Sequence, residues 1–165
     1  MIKHKKIIKI IFFVYIIALI FFLFFKSPYR LAERRFFGIF SPEHFNSCNL
    51  IPFKTITSYI KVLINHRMNF DIIVMNLLGN LLLFLPMGVF LPLIFKEKFN
   101  KFWKYLVFII ITVIFVEVLQ FITFLGSLDI DDFILNVIGA IIGFLIYKIC
   151  NKIIGLGGKK NVITN

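Results

Sequence analysis

The chain has 165 residues, is 60% apolar with a mean hydropathy of +0.95, and carries a formal net charge of +11. A soluble domain of this size does not hold so much apolar sequence, and its Leu, Ile, Val and Phe come in runs long enough to cross a bilayer. The charge argues against nucleic acid as a partner: Lys and Arg form short clusters beside the apolar runs, where they anchor helices to headgroups.

In chain order, Lys3, Lys5, Lys6 and Lys9 precede an apolar run that ends at Phe25. This resembles a secretory signal, but Phe24-Phe25-Lys26-Ser27-Pro28 offers no small-residue cleavage site. The run is also long enough to span, so an uncleaved signal anchor over about 7–25 is expected. The segment 26–71 reads as a long outer loop. Within it, Phe36-Phe37-Gly38-Ile39-Phe40 is suited to dip into headgroups, and Ser41-Pro42-Glu43 reads as a helix start. Phe53, Ile56, Ile60, Leu63 and Ile64 recur at helical spacing, which predicts an amphipathic interfacial helix over 53–65.

The second span, 72–95, contains Asn76, Gly79, Asn80, Pro86, Gly88 and Pro92. Proline predicts a kink near position 86, and both a passive kink and a functional break fit that pattern. A basic loop, 96–104, leads to a third span, 105–125, with Glu117 and Gln120. An acidic loop, 126–132, holds Asp129, Asp131 and Asp132 and leads to a fourth span, 133–154. There Asn136, Gly139, Ala140 and Gly143 form a polar-then-small stripe that lets another helix approach closely. The expected architecture is an all-α integral membrane protein, one domain over 1–165, with four transmembrane helices and the interfacial helix closing over a polar pocket.

Twelve of the nineteen Lys and Arg fall in the amino terminus, the 96–104 loop and the carboxy tail. All three lie on one side of a four-span topology, so the positive-inside rule predicts a multi-pass protein of the cell membrane with both termini cytoplasmic. Helix rise then sets depth. Asn76 and Gln120 lie roughly 7 Å below the outer surface, Asn136 roughly 6 Å, and Asn80 and Glu117 roughly 12–13 Å. Polar groups at depth are expensive, so a layer shared by separate helices predicts a functional site.

Glu117 is the sharpest of these signals, because an ionised carboxylate there needs a partner, a water-filled pocket or a proton. It suits a proton donor or acceptor, a cation ligand, or an acceptor for substrate hydroxyls or amines. The bland alternative is a protonated Glu bonded to Gln120 or Asn80 as helix glue. Asn76, Asn80, Gln120 and Asn136 taken singly also read as such glue. The three Asp residues read either as a solvated loop, with Asp131 or Asp132 capping the last helix, or as the acidic wall of the pocket. Arg34, Arg35 and Arg67 read as interfacial anchors, with binding of lipid phosphate or neutralisation of the acidic wall as the alternatives.

No hydrolase, metalloprotease or phosphate-loop motif occurs, and no Ser or Cys lies in the polar layer as a nucleophile. His44 and His66 fall in the outer loop and His4 in the amino terminus. Cys48 and Cys150 fall on opposite membrane faces and lack metal-ligand neighbours, so neither a disulfide nor a metal site is expected. No cofactor is expected either.

Four spaced motifs point to a family. Asn49-Leu-Ile-Pro52-Phe53, Gly79-Asn80 through Pro86-Met-Gly88, Glu117-Val-Leu-Gln120, and Asp129-Ile-Asp-Asp132 with Asn136 and Gly139 resemble the VanZ-like membrane proteins. The resemblance runs from the first span through Tyr147. It implies a small polytopic membrane protein linked to teicoplanin and lipoglycopeptide resistance in Gram-positive bacteria, and it adds Asn49, Pro52 and Phe53 to the residues of interest.

The expected ligand-contacting set is therefore Asn49, Asn76, Asn80, Glu117, Gln120, Asp129, Asp132 and Asn136, with Glu117 and Asp132 as candidate catalytic groups. Three functions fit. The pocket recognises a polar headgroup or cell-envelope precursor, its partners being membrane lipids and a cell-wall precursor or lipoglycopeptide-related ligand. The same carboxylates modify an envelope lipid or glycan by acid–base chemistry. Or the polar layer is packing polarity in an accessory protein.

Overall fold

The computed structural model describes residues 2–25, 45, 48–65, 70–99, 101–123 and 125–160. The aromatic run 36–40, the helix start at Ser41, and Arg34, Arg35, Arg67, His44 and His66 lie outside them. Five helices follow one another among the described residues: α1 (Ile2–Phe25), α2 (Lys54–Ile64), α3 (Phe70–Ile94), α4 (Phe102–Ile122) and α5 (Ile130–Lys160). The fold is all-α. Four stretches are long and apolar enough to cross a bilayer: Lys5–Phe24, Ile73–Ile94, Phe102–Ile122 and Ile130–Ile154. Their outer faces expose Phe13, Ile17, Phe21, Leu82, Ile111, Phe115, Ile146 and Ile149, an apolar coat that lipid rather than water suits.

α3 and α5 form the central pair, and glycine makes it so. A Cβ built on Gly139 would meet the Leu81 carbonyl oxygen at 1.9 Å, one on Gly143 the Leu85 carbonyl at 2.0 Å, and one on Gly88 the Ala140 carbonyl at 2.2 Å. The two backbones touch, as small-residue stripes allow in membranes. α3 itself runs unbroken through Pro86 and Pro92. The break that the sequence left open there is not adopted.

Tyrosines fasten the outer helices to this pair. The Tyr15 hydroxyl on α1 donates to the Leu83 carbonyl of α3 at 2.7 Å, one residue past the Leu82 carbonyl that Pro86 cannot serve. Phe12 and Tyr15 both pack on the Phe90 ring. On α4, the Tyr105 hydroxyl donates to the Ala140 carbonyl at 2.8 Å, and its ring stacks on Phe144 with centroids 4.6 Å apart. The shared core is Phe84, Met87, Leu91, Ile109, Val113, Ala140 and Phe144, extended by Leu19 and Leu23 of α1.

Candidate polar site at one end of the bundle

The last turn of α1, the first half of α3, the second half of α4 and the start of α5 meet at one end, because consecutive long helices alternate in direction. A cavity of about 320 Å³ lies there, lined by Leu23, Asn76, Asn80, Gln120, Ser127 and Asp132 among others. Three residues of the polar layer expected from sequence (Asn76, Asn80 and Gln120) thus share a wall with Asp132 of the acidic segment. Gln120 is fixed in it: its Nε2 donates to the Leu23 carbonyl at the end of α1, 2.8 Å away.

Glu117 and Asn136 form a second polar pair between α4 and α5. Both are buried, at 5% and 1% exposure. Asn136 Nδ2 donates to Glu117 Oε1 over a long 3.5 Å, while Glu117 Oε2 and Asn136 Oδ1 have no hydrogen-bond partner among the described residues. Two unsatisfied buried oxygens on facing side chains are unusual, since buried polar atoms are nearly always paired. Gln120 follows Glu117 by three residues on α4 and Asp132 precedes Asn136 by four on α5, so the buried pair lies one helical turn from two residues of the cavity wall.

The remaining acids serve a different purpose. Asp131 is fully buried, so the loop is not a solvated one. Its carboxylate does not cap α5 but accepts from the start of α2: Oδ1 takes the Phe53 N–H, and Oδ2 takes the N–H groups of Thr55 at 2.8 Å and Ile56 at 3.1 Å. These are the donors that a helix start leaves orphaned, and a negative charge suits that end of the dipole. Asn49 and Asp129 complete the clasp. Asn49 N–H donates to the Leu128 carbonyl and Ile130 N–H to the Asn49 carbonyl, both at 2.9 Å, forming a single parallel bridge. Asn49 Nδ2 donates to Asp129 Oδ1 at 3.1 Å, and Thr55 Oγ1 donates to Asp129 Oδ2 at 2.7 Å.

This clasp holds Phe53 at φ 64°, in the left-handed region that non-glycine residues rarely enter. Such a conformation costs about 1–2 kcal/mol and persists only when its surroundings impose it. Asn49, Pro52 and Phe53 thus belong to one fastening between α2 and the loop before α5. Thr55 and Ser127 were not singled out in the sequence. Thr55 could have been, as a hydroxyl in the first turn of a helix, where Ser and Thr bond locally. Ser127 carries no comparable signal.

A family model described as VanZ/LLP1 matches residues 12–151, most of the chain. The chain belongs to the VanZ/LLP1 family. It is also 30% identical over 138 residues to Protein VanZ of Enterococcus faecium, covering 84% of this chain and 71% of that protein. No solved structure matches it. The VanZ/LLP1 match takes in the clasp, the buried Glu117–Asn136 pair and the whole cavity wall. Family and fold together make it a multi-pass membrane protein.

Proposed function

We propose that this VanZ/LLP1 protein recognises the polar head of a cell-envelope lipid or precursor in the cavity at its polar end, and that it lowers teicoplanin and lipoglycopeptide susceptibility by altering the surface or access to the target. Glu117 and Asp132 contact the ligand, and Gln120, Asn80, Asn76 and Asn136 orient them. Both termini are cytoplasmic, which makes the cavity open outward, and α2 lies along the outer interface with Phe53, Ile60 and Ile64 turned to lipid.

The observation that carries this reading is the pair of unpartnered oxygens, Glu117 Oε2 and Asn136 Oδ1, one helical turn along α4 and α5 from the cavity-wall residues Gln120 and Asp132. Packing glue would have satisfied itself; a site leaves acceptors for hydroxyl or amine donors of a ligand. The exposed apolar residues of α2 support the interfacial position, since no residue of that helix is buried by protein.

A second reading rests on two carboxylates in different surroundings, Glu117 buried and Asp132 on the cavity wall. Such a pair suits acid–base modification of the same lipid or glycan.

The test replaces Glu117 by Gln and Asp132 by Asn, with membrane abundance measured alongside teicoplanin susceptibility and envelope lipid profile. Loss of the phenotype at normal abundance is expected. A modified lipid that disappears with the Glu117 variant selects the enzyme, an unaltered profile selects recognition, and an unchanged phenotype at normal abundance ends both.

A further inference from the structure

The opposite end of the bundle holds a larger cavity, about 740 Å³, between the start of α1 and the turn joining α3 to α4. Its walls divide by chemistry. Ile8, Leu93, Ile94 and Phe95 supply an apolar side, while Lys5, Lys9, Lys96 and Lys98 surround it against one acid, Glu97. Lys5 and Lys9 are one helical turn apart, so their stems leave α1 on the same side. All four lysines are exposed, and among the described residues none pairs with a carboxylate. Lys98 has a fixed stem: its ammonium lies 5.7 Å from the Phe99 ring centroid and 5.9 Å from that of Phe108.

We propose that this cavity binds an anionic phospholipid, with the phosphate among the four lysines and the first acyl carbons on Ile8, Leu93 and Ile94. Two features select that occupant. Four ammonium groups facing one carboxylate leave an excess of positive charge that a zwitterionic headgroup does not neutralise. The apolar wall lies where the membrane spans end, so it meets acyl chains and gives a soluble anion nothing to contact. The site owes nothing to the polar end of the bundle and stands whether or not that end binds a ligand. Its effect is to bring an anionic lipid between α1 and the α3–α4 turn, two segments from distant parts of the sequence.

The test uses the whole chain in neutral detergent, titrated with phosphatidylglycerol, phosphatidylcholine or soluble glycerol phosphate, with bound molecules counted by native mass spectrometry. Phosphatidylglycerol should bind at least about tenfold more tightly than phosphatidylcholine, weaken as salt screens the lysines, and resist displacement by glycerol phosphate. The variant Lys5→Gln/Lys9→Gln/Lys96→Gln/Lys98→Gln should lose at least about tenfold in affinity. The charge-matched control Lys6→Gln/Lys101→Gln/Lys104→Gln/Lys152→Gln should not. Equal loss in both variants would mean general surface charge, and that result overturns the site. So does equal binding of phosphatidylcholine, or displacement by glycerol phosphate. Should the fourfold variant fail to fold, Lys96→Gln/Lys98→Gln in the exposed turn should still weaken binding about threefold, and unchanged affinity there overturns the proposal.

Discussion

Asn136 and Glu117 face each other across α4 and α5 at 3.5 Å, and each keeps one buried oxygen without a partner among the described residues. Replacing Glu117 by Gln keeps the volume and offers the Asn136 oxygen a donor. Thermal unfolding in detergent should therefore change by less than about 1 kcal/mol, the scale of one interhelical hydrogen bond in a membrane. The teicoplanin phenotype should fall away in the same variant. A large loss of stability with the phenotype intact would make the pair mere packing.

Asp131 accepts three backbone N–H groups at the start of α2 while fully buried. Asp131→Ala leaves those donors without their acceptor and should cost about 3 kcal/mol or more, since bonds to a charged group contribute about 1.5–3 kcal/mol each. Asp131→Asn keeps one acceptor oxygen and should cost less. Protease cleavage within 48–65 reads out the release of α2, and resistance equal to the parent chain in Asp131→Ala would show that the clasp does not hold it.

The glycines separate packing from cavity. Gly139→Ala and Gly143→Ala each drive a methyl group into a backbone carbonyl, at 1.9 and 2.0 Å, and the two central helices must part. A destabilisation of about 2–3 kcal/mol is expected, as for overpacked cores. At Gly126 a Cβ meets only the Gln120 side chain, at 2.9 Å. Gly126→Ala should cost less than either, because a side chain rather than a facing backbone must give way, and should displace Gln120 so that ligand recognition weakens. Equal unfolding temperatures for all three variants would contradict the close approach of α3 and α5.

Tyr15→Phe and Tyr105→Phe each delete one hydroxyl that donates to a helix carbonyl, Leu83 or Ala140. Each should cost about 0.6–2 kcal/mol with the ring packing kept. Tyr105→Leu should cost more than Tyr105→Phe, because it also removes the stack on Phe144. Unfolding midpoints of the three variants order these contributions.

The spans were legible because each rests on a local property. A run of about 20 apolar residues spans whatever its neighbours do. The amphipathic helix at 53–65 was equally plain and appears as Lys54–Ile64. The assembly of Asn76, Asn80 and Gln120 could be anticipated, since helix rise converts sequence position into depth once the direction of each span is assigned. The clasp could not. Asn49 and Asp129 are 80 residues apart, and neither spacing nor periodicity links them. Asp131 or Asp132 read as a cap for α5, which is the commoner use of an acid there, yet the Asp131 carboxylate serves α2 instead.

Composition and hydropathic runs alone therefore determined the number and order of the spanning helices, because a bilayer imposes those terms on any segment entering it. Only the tertiary structure decided which of the polar residues are spent on fastening and which keep unpartnered atoms. That choice depends on how closely α3 and α5 can approach at their glycines and on where the end of α1 and the start of α2 are then held. Those distances come from packing between segments remote in the chain, and no local pattern encodes them.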